Sequence, residues 1–554
     1  MANMFLLRGK PFYLSKLVQG LIFVIAVSFA CQLLYSHLGF NPTDEGYMLS
    51  GSRRLLDGQM PHRDYISLRP VFTQMFHAHF LLWAGERLLW WSRLAPWIEF
   101  AVIAWLWTLM IEKSFEKELN IITRFALSVI SFVLCAHTFP IMPWNSIDGV
   151  FFITIGLAMR LSDRKNLFLI SWFLIGLSPL TRQNFYFPIL LLPLITGDGI
   201  KLRAWLALFS SSIIYGLWLL MFGAIPATWI QLTQHGVYLG PTLSVLFINP
   251  IAIPSLLVGL AVGILIGRMK TFAFKFLGLL LLFISILISV IMNPFVYAGM
   301  FHGIFLFYVL LGASPFLTKK VSRIRIVMLS LITAWGVAIS VGYPSTALAS
   351  GPLFTILWFF FEDGLERLGI QRKKLFSLIS LPLALSAILF FHFGRINYVY
   401  RDMNANLLTY DLGGVLRGAQ GIKTNRITYS VLYDLNENVK WAENRANGEK
   451  VIGVIPDLAQ FWVSYPQQNP LSSDWPYNPE LSHPKNRARV VGEVYSLRGK
   501  AIFIVEKFHA SHLPFALVTI DAPILETTDK CAVASAVKSN FSLVRETEFF
   551  EVYE

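Results

Sequence analysis

Residues 41–70, NPTDEGYMLSGSRRLLDGQMPHRDYISLRP, concentrate the side chains of this sequence that can move protons or hold charge. Asp44, Glu45, Arg53, Arg54, Asp57, His62, Arg63, Asp64 and Arg69 fall there, beside Tyr47 and Tyr65. A solvated loop with a capped surface helix accounts for part of the pattern: Asp44 caps a helix from about Glu45 to Leu56, and Asp57-Gly58 ends it. Three polar residues, Arg69 again among them, mark the edges of apolar runs. They are Arg69 in SLRPVF, Asp148 in PWNSIDGVFF and Arg182 in PLTRQNFYFP. Asp148 reads equally as a site residue and as a helix cap, a role open also to Asn145 and Ser146.

Two acids and two arginines at one membrane surface suit a reaction in which a lipid phosphate leaves while a hydroxyl is deprotonated. A carboxylate serves as general base, and arginines stabilise the developing phosphate charge. Asp44 and Asp148 could also hold a divalent cation, Mg or Mn, that shields the phosphate. Arg53 and His62 stand as second-tier substrate partners. Weaker candidates are His235 with Tyr238, and Tyr297 with His302; His77 and His79 read as packing or interface residues.

The elements that position these groups are membrane spans. The chain has 554 residues, 55% hydrophobic and 14% charged, with a mean hydropathy of +0.57. That composition belongs to a polytopic membrane protein. The net charge of +13 is no nucleic-acid signal, because the basic residues form short clusters between apolar runs. Three cysteines, Cys31, Cys135 and Cys531, exclude a disulfide framework. The basic N-terminal segment reads as the flank of an uncleaved anchor. About thirteen runs are apolar and long enough to cross a bilayer, from 17–38 to 375–393. The run 71–84 is the ambiguous one. If it does not cross, the clusters around Lys113, Arg160, Lys201, Arg268, Lys320 and Lys373 all fall on the cytoplasmic side with the N-terminus. It therefore reads as a juxtamembrane or re-entrant helix, with 41–93 as the first outer loop. The cytoplasmic loops lack a phosphate-cradling glycine motif, which argues against ATP-driven work.

After about residue 394 the character changes. Strand-like runs at 450–456, 501–508 and 515–521 alternate with helical patterns near 426–445 and 530–539. This predicts two parts: a membrane domain over 1–393, and a small extracytoplasmic α/β domain over 394–554, with 464–486 as an irregular loop.

Several motifs together resemble the GT-C superfamily of membrane glycosyltransferases, especially bacterial members related to lipid A aminoarabinose transferases and protein O-mannosyltransferases. They are DEGY (44–47), RRLLDGQMPHRDY (53–65), RPVF (69–72), SIDGVFF (146–152), LTRQN (180–184) and VIGVIPDLAQFWVSYPQQNP (451–470). The resemblance covers about the first 200 residues well and the rest in architecture. It implies a GT-C-like helical membrane domain and transfer of sugar from a polyprenyl-phosphate donor to a glycan, lipid or protein acceptor, usually with inversion. It also implies a catalytic acid at Asp44 followed by Glu45, a second acid at Asp148, and basic groups at Arg69 and Arg182. Leu68 stands where the aminoarabinose branch has an acidic residue. The location expected is a bacterial inner membrane. Two rivals remain open: an O-antigen polymerase or ligase, and a lipid or polysaccharide flippase. The flippase is disfavoured by the few charges inside the spans and the lack of repeated halves.

Overall fold

The computed structural model describes residues 12–136, 141–162, 164–233, 249–291, 300–339, 345–369, 373–456, 458–478, 480–508 and 528–554. His235, Tyr238, Tyr297 and the strand-like run 515–521 lie outside the described residues.

The first 400 residues are almost wholly helical. Six helical stretches are long and apolar enough to cross a membrane: Ser15–Tyr35, Gly85–Ser114, Leu202–Met221, Phe272–Ile291, Val321–Ala338 and Phe376–Asn397. Shorter apolar helices lie among them, including Ile121–Ala136, Ala252–Gly267 and Phe301–Leu317. The outward faces of several are apolar. Leu33 is 66% exposed, Leu220 64% and Leu389 68%, a pattern that suits contact with lipid chains and not water. The chain is thus a helical, membrane-embedded protein.

Helices approach closely where small residues remove side-chain bulk. Gly259 and Gly263, on Ala252–Gly267, face Val309 and Ala313 on Met300–Leu317, and a methyl on Gly259 would drive into the Val309 carbonyl. Facing back, Gly312 would place a methyl 2.7 Å from the Leu256 carbonyl oxygen.

Charge divides the bundle into two ends. At one end Glu112 binds Lys16 at 2.8 Å and Arg124 at 2.9 Å, and Lys117 binds Asp363 at 2.9 Å. Lys320 reaches Glu116 at 2.8 Å, and Lys113 donates to the Leu161 carbonyl at 2.9 Å. The basic connections around 113–124, 161 and 320 therefore share one end. At the other end lie the start of the first long connection, the Arg182 turn and the C-terminal unit that follows Asn397, as far as it is described.

The run 71–84 is broken into Phe72–His77 and Phe80–Trp83, both far short of the about 20 residues a crossing needs, and Leu88–Ser92 leads into the long apolar stretch that follows. All three stay at the second end. The Leu89 amide donates to the Gly418 carbonyl at 2.9 Å, and the Gln420 amide to the Glu86 carbonyl at 2.9 Å.

The C-terminal unit holds a four-stranded sheet in the order Val451–Ile455, Ala501–Glu506, Phe550–Tyr553, Leu543–Glu546. The first pair is parallel and the others antiparallel. All six residues of Ala501–Glu506 are buried, as a central strand requires. Its side chains alternate: Ile502 and Ile504 face helix Arg426–Ala446 and the first connection, whereas Phe503 and Val505 face Pro484–Ser496 and Ala532–Asn540. The two C-terminal strands were not expected from the sequence. The alternating Leu543–Glu546 is half exposed and polar, so its apolar signal is weak.

Gly259→Val should lower stability by about 1–3 kcal/mol through overpacking at the helix contact. Thermal unfolding in detergent would show a reduced midpoint, while Gly216→Val, at a position open to its surroundings, should leave it nearly unchanged.

Candidate functional site

The first connection is folded before its helix begins. Asn41 Oδ1 accepts the amides of Thr43 at 3.1 Å and Asp44 at 2.7 Å, forming a side-chain-closed turn. The helix starts at Tyr47, not Glu45, and its cap is Gly46 at φ +82°, with no side-chain cap bond. Asp44 is therefore not the N-cap that its position suggested. The left-handed backbone at Gly46, pressed against Gln460, turns the carboxylate away from the helix amides. At the far end Asp57 and Gly58 close the helix as expected.

The acidic pair divides. Asp44, 6% exposed, accepts the Tyr400 hydroxyl at 2.7 Å and pairs with Arg401 at 3.0 Å. Glu45 is held by both arms of Arg93, at 3.0 and 2.7 Å. Arg93 also donates to the carbonyls of Ser36 at 2.8 Å and Gly39 at 2.7 Å. Burial pushes the Glu45 carboxyl upward, and Arg93 only partly counters it. Glu45 is thus an anchoring group, whereas Asp44 turns to Tyr400 and Arg401.

Arg69 leaves the connection with its guanidinium 5.5 Å from the Tyr47 ring centre, and its Nη1 is buried without a hydrogen-bond partner. Burial works against its charge, but Tyr47, Glu480 and Asp44 outweigh that effect. Arg182 sits at the extended residue that ends helix Phe168–Thr181 and donates to Ser146 Oγ. Burial and then the like charge of Arg69 push its guanidinium down to about 9, with Glu480 opposing. The two arginines are therefore buried near enough for each charge to act on the other, with Glu480 acting on both. A small cleft of about 20 Å³ lies beside Tyr47, lined also by Tyr65, Gln74, Asp474, Trp475 and Glu480.

Asp148 lies within helix Asn145–Arg160, whose cap is Trp144, so it is not a capping residue. Its Oδ1 meets His77 Nε2 at 3.1 Å. His77, Glu99 and Asp148 are all buried, with ligand atoms within 4.8 Å of one another. Asp44 is not part of this group. The structure thus sets Asp148 with His77 and Glu99 where a cation shared with Asp44 was expected, and His77 is more than a packing residue.

The second-tier residues are engaged elsewhere. Arg53 is paired with Asp57 at 2.9 Å, one turn along its helix. The neighbouring Arg54 is the buried one, bound to Asp474 at 2.7 and 2.6 Å and to the Leu471 carbonyl at 2.8 Å. His62 is fully buried at φ +66°, with Nδ1 2.9 Å from Gln231 Oε1 and Nε2 2.9 Å from the Tyr215 hydroxyl. Gln231 Oε1 also accepts the Ser67 amide, so Nδ1 donates and Nε2 accepts. Both ring nitrogens are occupied, and the residue ties the connection to Tyr215 and Gln231. His79 is exposed, and His302 meets the Leu134 carbonyl at 3.1 Å.

Arg93, Glu99, Tyr400, Arg401 and Glu480 were not singled out in the sequence. Glu99 carried a legible signal, since a carboxylate in the middle of an apolar run is costly unless used. Tyr400, Arg401 and Glu480 carried none, because only the return of the distant C-terminal chain brings them to Asp44 and Arg69.

Burial pushes the His62 imidazole down to about 4, from an ordinary value near 6.5. Its neutral form is the one the fold holds. The stability it contributes is full above about pH 6.5 and is lost as pH falls toward 4, about 3 kcal/mol over the window. Unfolding followed from pH 7 to pH 4.5 should show a steeper loss in the wild type than in His62→Gln. Parallel slopes would refute the assignment. No family model matches the chain, and a comparison with curated proteins finds no relative.

Proposed function

We propose that this protein is a GT-C-like glycosyltransferase that moves a sugar from a polyprenyl-phosphate donor to an acceptor at the non-cytoplasmic face of a bacterial inner membrane. In this reading about thirteen spans carry the site, and the C-terminal α/β unit stands outside. The observation that carries it is the convergence of Arg69 and Arg182 in one buried pocket electrostatically linked to Asp44. Burying two guanidiniums together is costly. An anion with several oxygens, such as a lipid phosphate, repays that cost and suits the planar donors of arginine.

The chemistry is a single displacement with inversion. The acceptor hydroxyl attacks the anomeric carbon, the bond from that carbon to the phosphate oxygen breaks, and the electron pair leaves with the polyprenyl phosphate. Arg69 and Arg182 stabilise the charge that develops there. The hydroxyl proton passes to Asp44. Arg401, whose side chain is 40% exposed, is the partner an incoming acceptor displaces from that carboxylate. Tyr47, packed between Arg69 and Trp475, lines the approach. Asp148, two residues from Ser146 on the same helix, stands as the second acid behind the arginine pair.

Transfer by Asp44→Asn at matched membrane expression should fall about 10²–10⁴-fold, the usual worth of a general base. Glu45→Gln should act differently. It breaks a buried pair and costs about 3–5 kcal/mol of stability, and whatever fraction folds should transfer sugar. An active Asp44→Asn beside a well-folded, inactive Glu45→Gln would reverse the assignment within the pair.

Arg69→Ala or Arg182→Ala should each weaken donor binding by about 1.5–3 kcal/mol, the worth of a hydrogen bond to a charged group. Arg69→Lys should keep part of the affinity. Titration with a polyprenyl-phosphate sugar measures this, and unchanged binding in both alanine variants would remove the phosphate from this pocket.

A further inference from the structure

A second polar centre lies within the helices, apart from Asp44. His77 comes from the short helix Phe72–His77, Glu99 from the Leu94–Ser114 helix and Asp148 from Asn145–Arg160. Their exposures are 0%, 3% and 0%, so each is well beyond the reach of bulk solvent. Asp148 Oδ2, Glu99 Oε2 and His77 Nδ1 are all buried without a hydrogen-bond partner. Three such atoms in one cluster are exceptional, because buried polar atoms are almost always satisfied.

The charge balance is also incomplete. Among the described residues no lysine or arginine lies within ion-pair distance of Glu99 or Asp148, and the charge partner of Asp148 is His77 at 3.1 Å. Two carboxylates this close cannot both stay ionised in an apolar setting without a cation. A proton shared between Glu99 and Asp148 would satisfy the two acids and leave His77 Nδ1 without a partner. A divalent ion neutralises both acids and takes the nitrogen lone pair. Bonds of about 2.0–2.2 Å at tetrahedral angles set ligand atoms on one ion about 3.3–3.6 Å apart. The observed limit of 4.8 Å needs side-chain adjustments of about an ångström at most, within the reach of side-chain torsions. One imidazole with two carboxylates suits a first-row ion such as zinc or manganese better than magnesium, which keeps its waters.

We propose that His77, Glu99 and Asp148 bind one first-row divalent metal ion, which clamps the re-entrant helix Phe72–His77 to the two long helices behind it. The helix it holds has six residues, too few to be stable alone. Its other support is aromatic, with Phe72 and Phe76 packed on Phe152 at 5.3 and 5.4 Å between ring centres. Because this helix follows directly on Arg69, the ion would set where the arginine pocket is built.

The test is elemental analysis of the full-length protein purified in detergent without chelator, followed by stripping and reloading with Zn²⁺ or Mn²⁺ alone. The expected result is about one equivalent of metal per chain. Stripping should lower the unfolding midpoint, and Zn²⁺ or Mn²⁺ should restore it where Mg²⁺ does not. His77→Gln and Glu99→Gln should each weaken binding by at least about tenfold, as loss of a ligand or its close support does. Less than about a tenth of an equivalent after reloading overturns the proposal. So does a His77→Gln/Glu99→Gln double variant that holds as much metal as the wild type. If either variant fails to insert, the stripping and restoration of the wild type decide alone. A midpoint indifferent to chelator, with a protonated-carboxyl infrared band that disappears in Glu99→Gln, assigns a shared proton and rejects the metal.

Discussion

Arg93 closes one end of the helical bundle. The first span ends at Tyr35, and the next carbonyls point into a buried region with no helix to accept them. Unpaired buried carbonyls are costly, so something must donate to them. Arg93 does so for Ser36, Leu38 and Gly39, and spends its remaining donors on Glu45. One side chain thus sets the path of the chain from the first span into the connection that carries Asp44. Gln32 and Trp97 reinforce the same corner, through Trp90 at 2.6 Å and Ser36 at 2.9 Å.

The C-terminal unit depends on that corner. The Gly39 amide donates to Lys423 at 2.8 Å, and Asp402 holds the Phe40 amide at 2.9 Å together with Thr424 and Asn425. Farther along, Arg54 binds Asp474, and the Ile66 amide donates to Ser472 at 2.7 Å. The connection 36–93 is therefore a layer between bundle and sheet. It owes its order to both, and the apolar contacts of Leu49, Phe80 and Leu89 with Leu432, Trp462 and Ile502 make it part of the second core.

The start of helix Asn145–Arg160 separates two pockets of opposite character. Ser146 meets Arg182, and Asp148 meets His77. Residues two apart on a helix do not share a face, so one turn of backbone keeps a cationic pocket and an acidic cluster close without letting them neutralise each other.

Much of this was legible in the residues themselves. Apolar runs of about twenty and basic clusters between them specify a helical membrane protein, because the bilayer leaves no other way to satisfy the backbone. The strands at 451–455 and 501–506 and the helix at 426–446 follow from local periodicity. Asp44, Arg69, Asp148 and Arg182 stood out because charge at a membrane edge is expensive. Their partners did not. Glu45 and Asp44 are neighbours in sequence with identical local signals, and only Arg93 on one side and Tyr400 with Arg401 on the other give them different work. His77 looked like packing until Glu99 and Asp148 were brought to it from helices 22 and 71 residues away. Local sequence determines which segments enter the membrane and which charges must be accounted for, since those costs are paid residue by residue. Which charges meet is decided by tertiary packing, since electrostatic pairing depends on distances of a few ångströms that no spacing along the chain specifies.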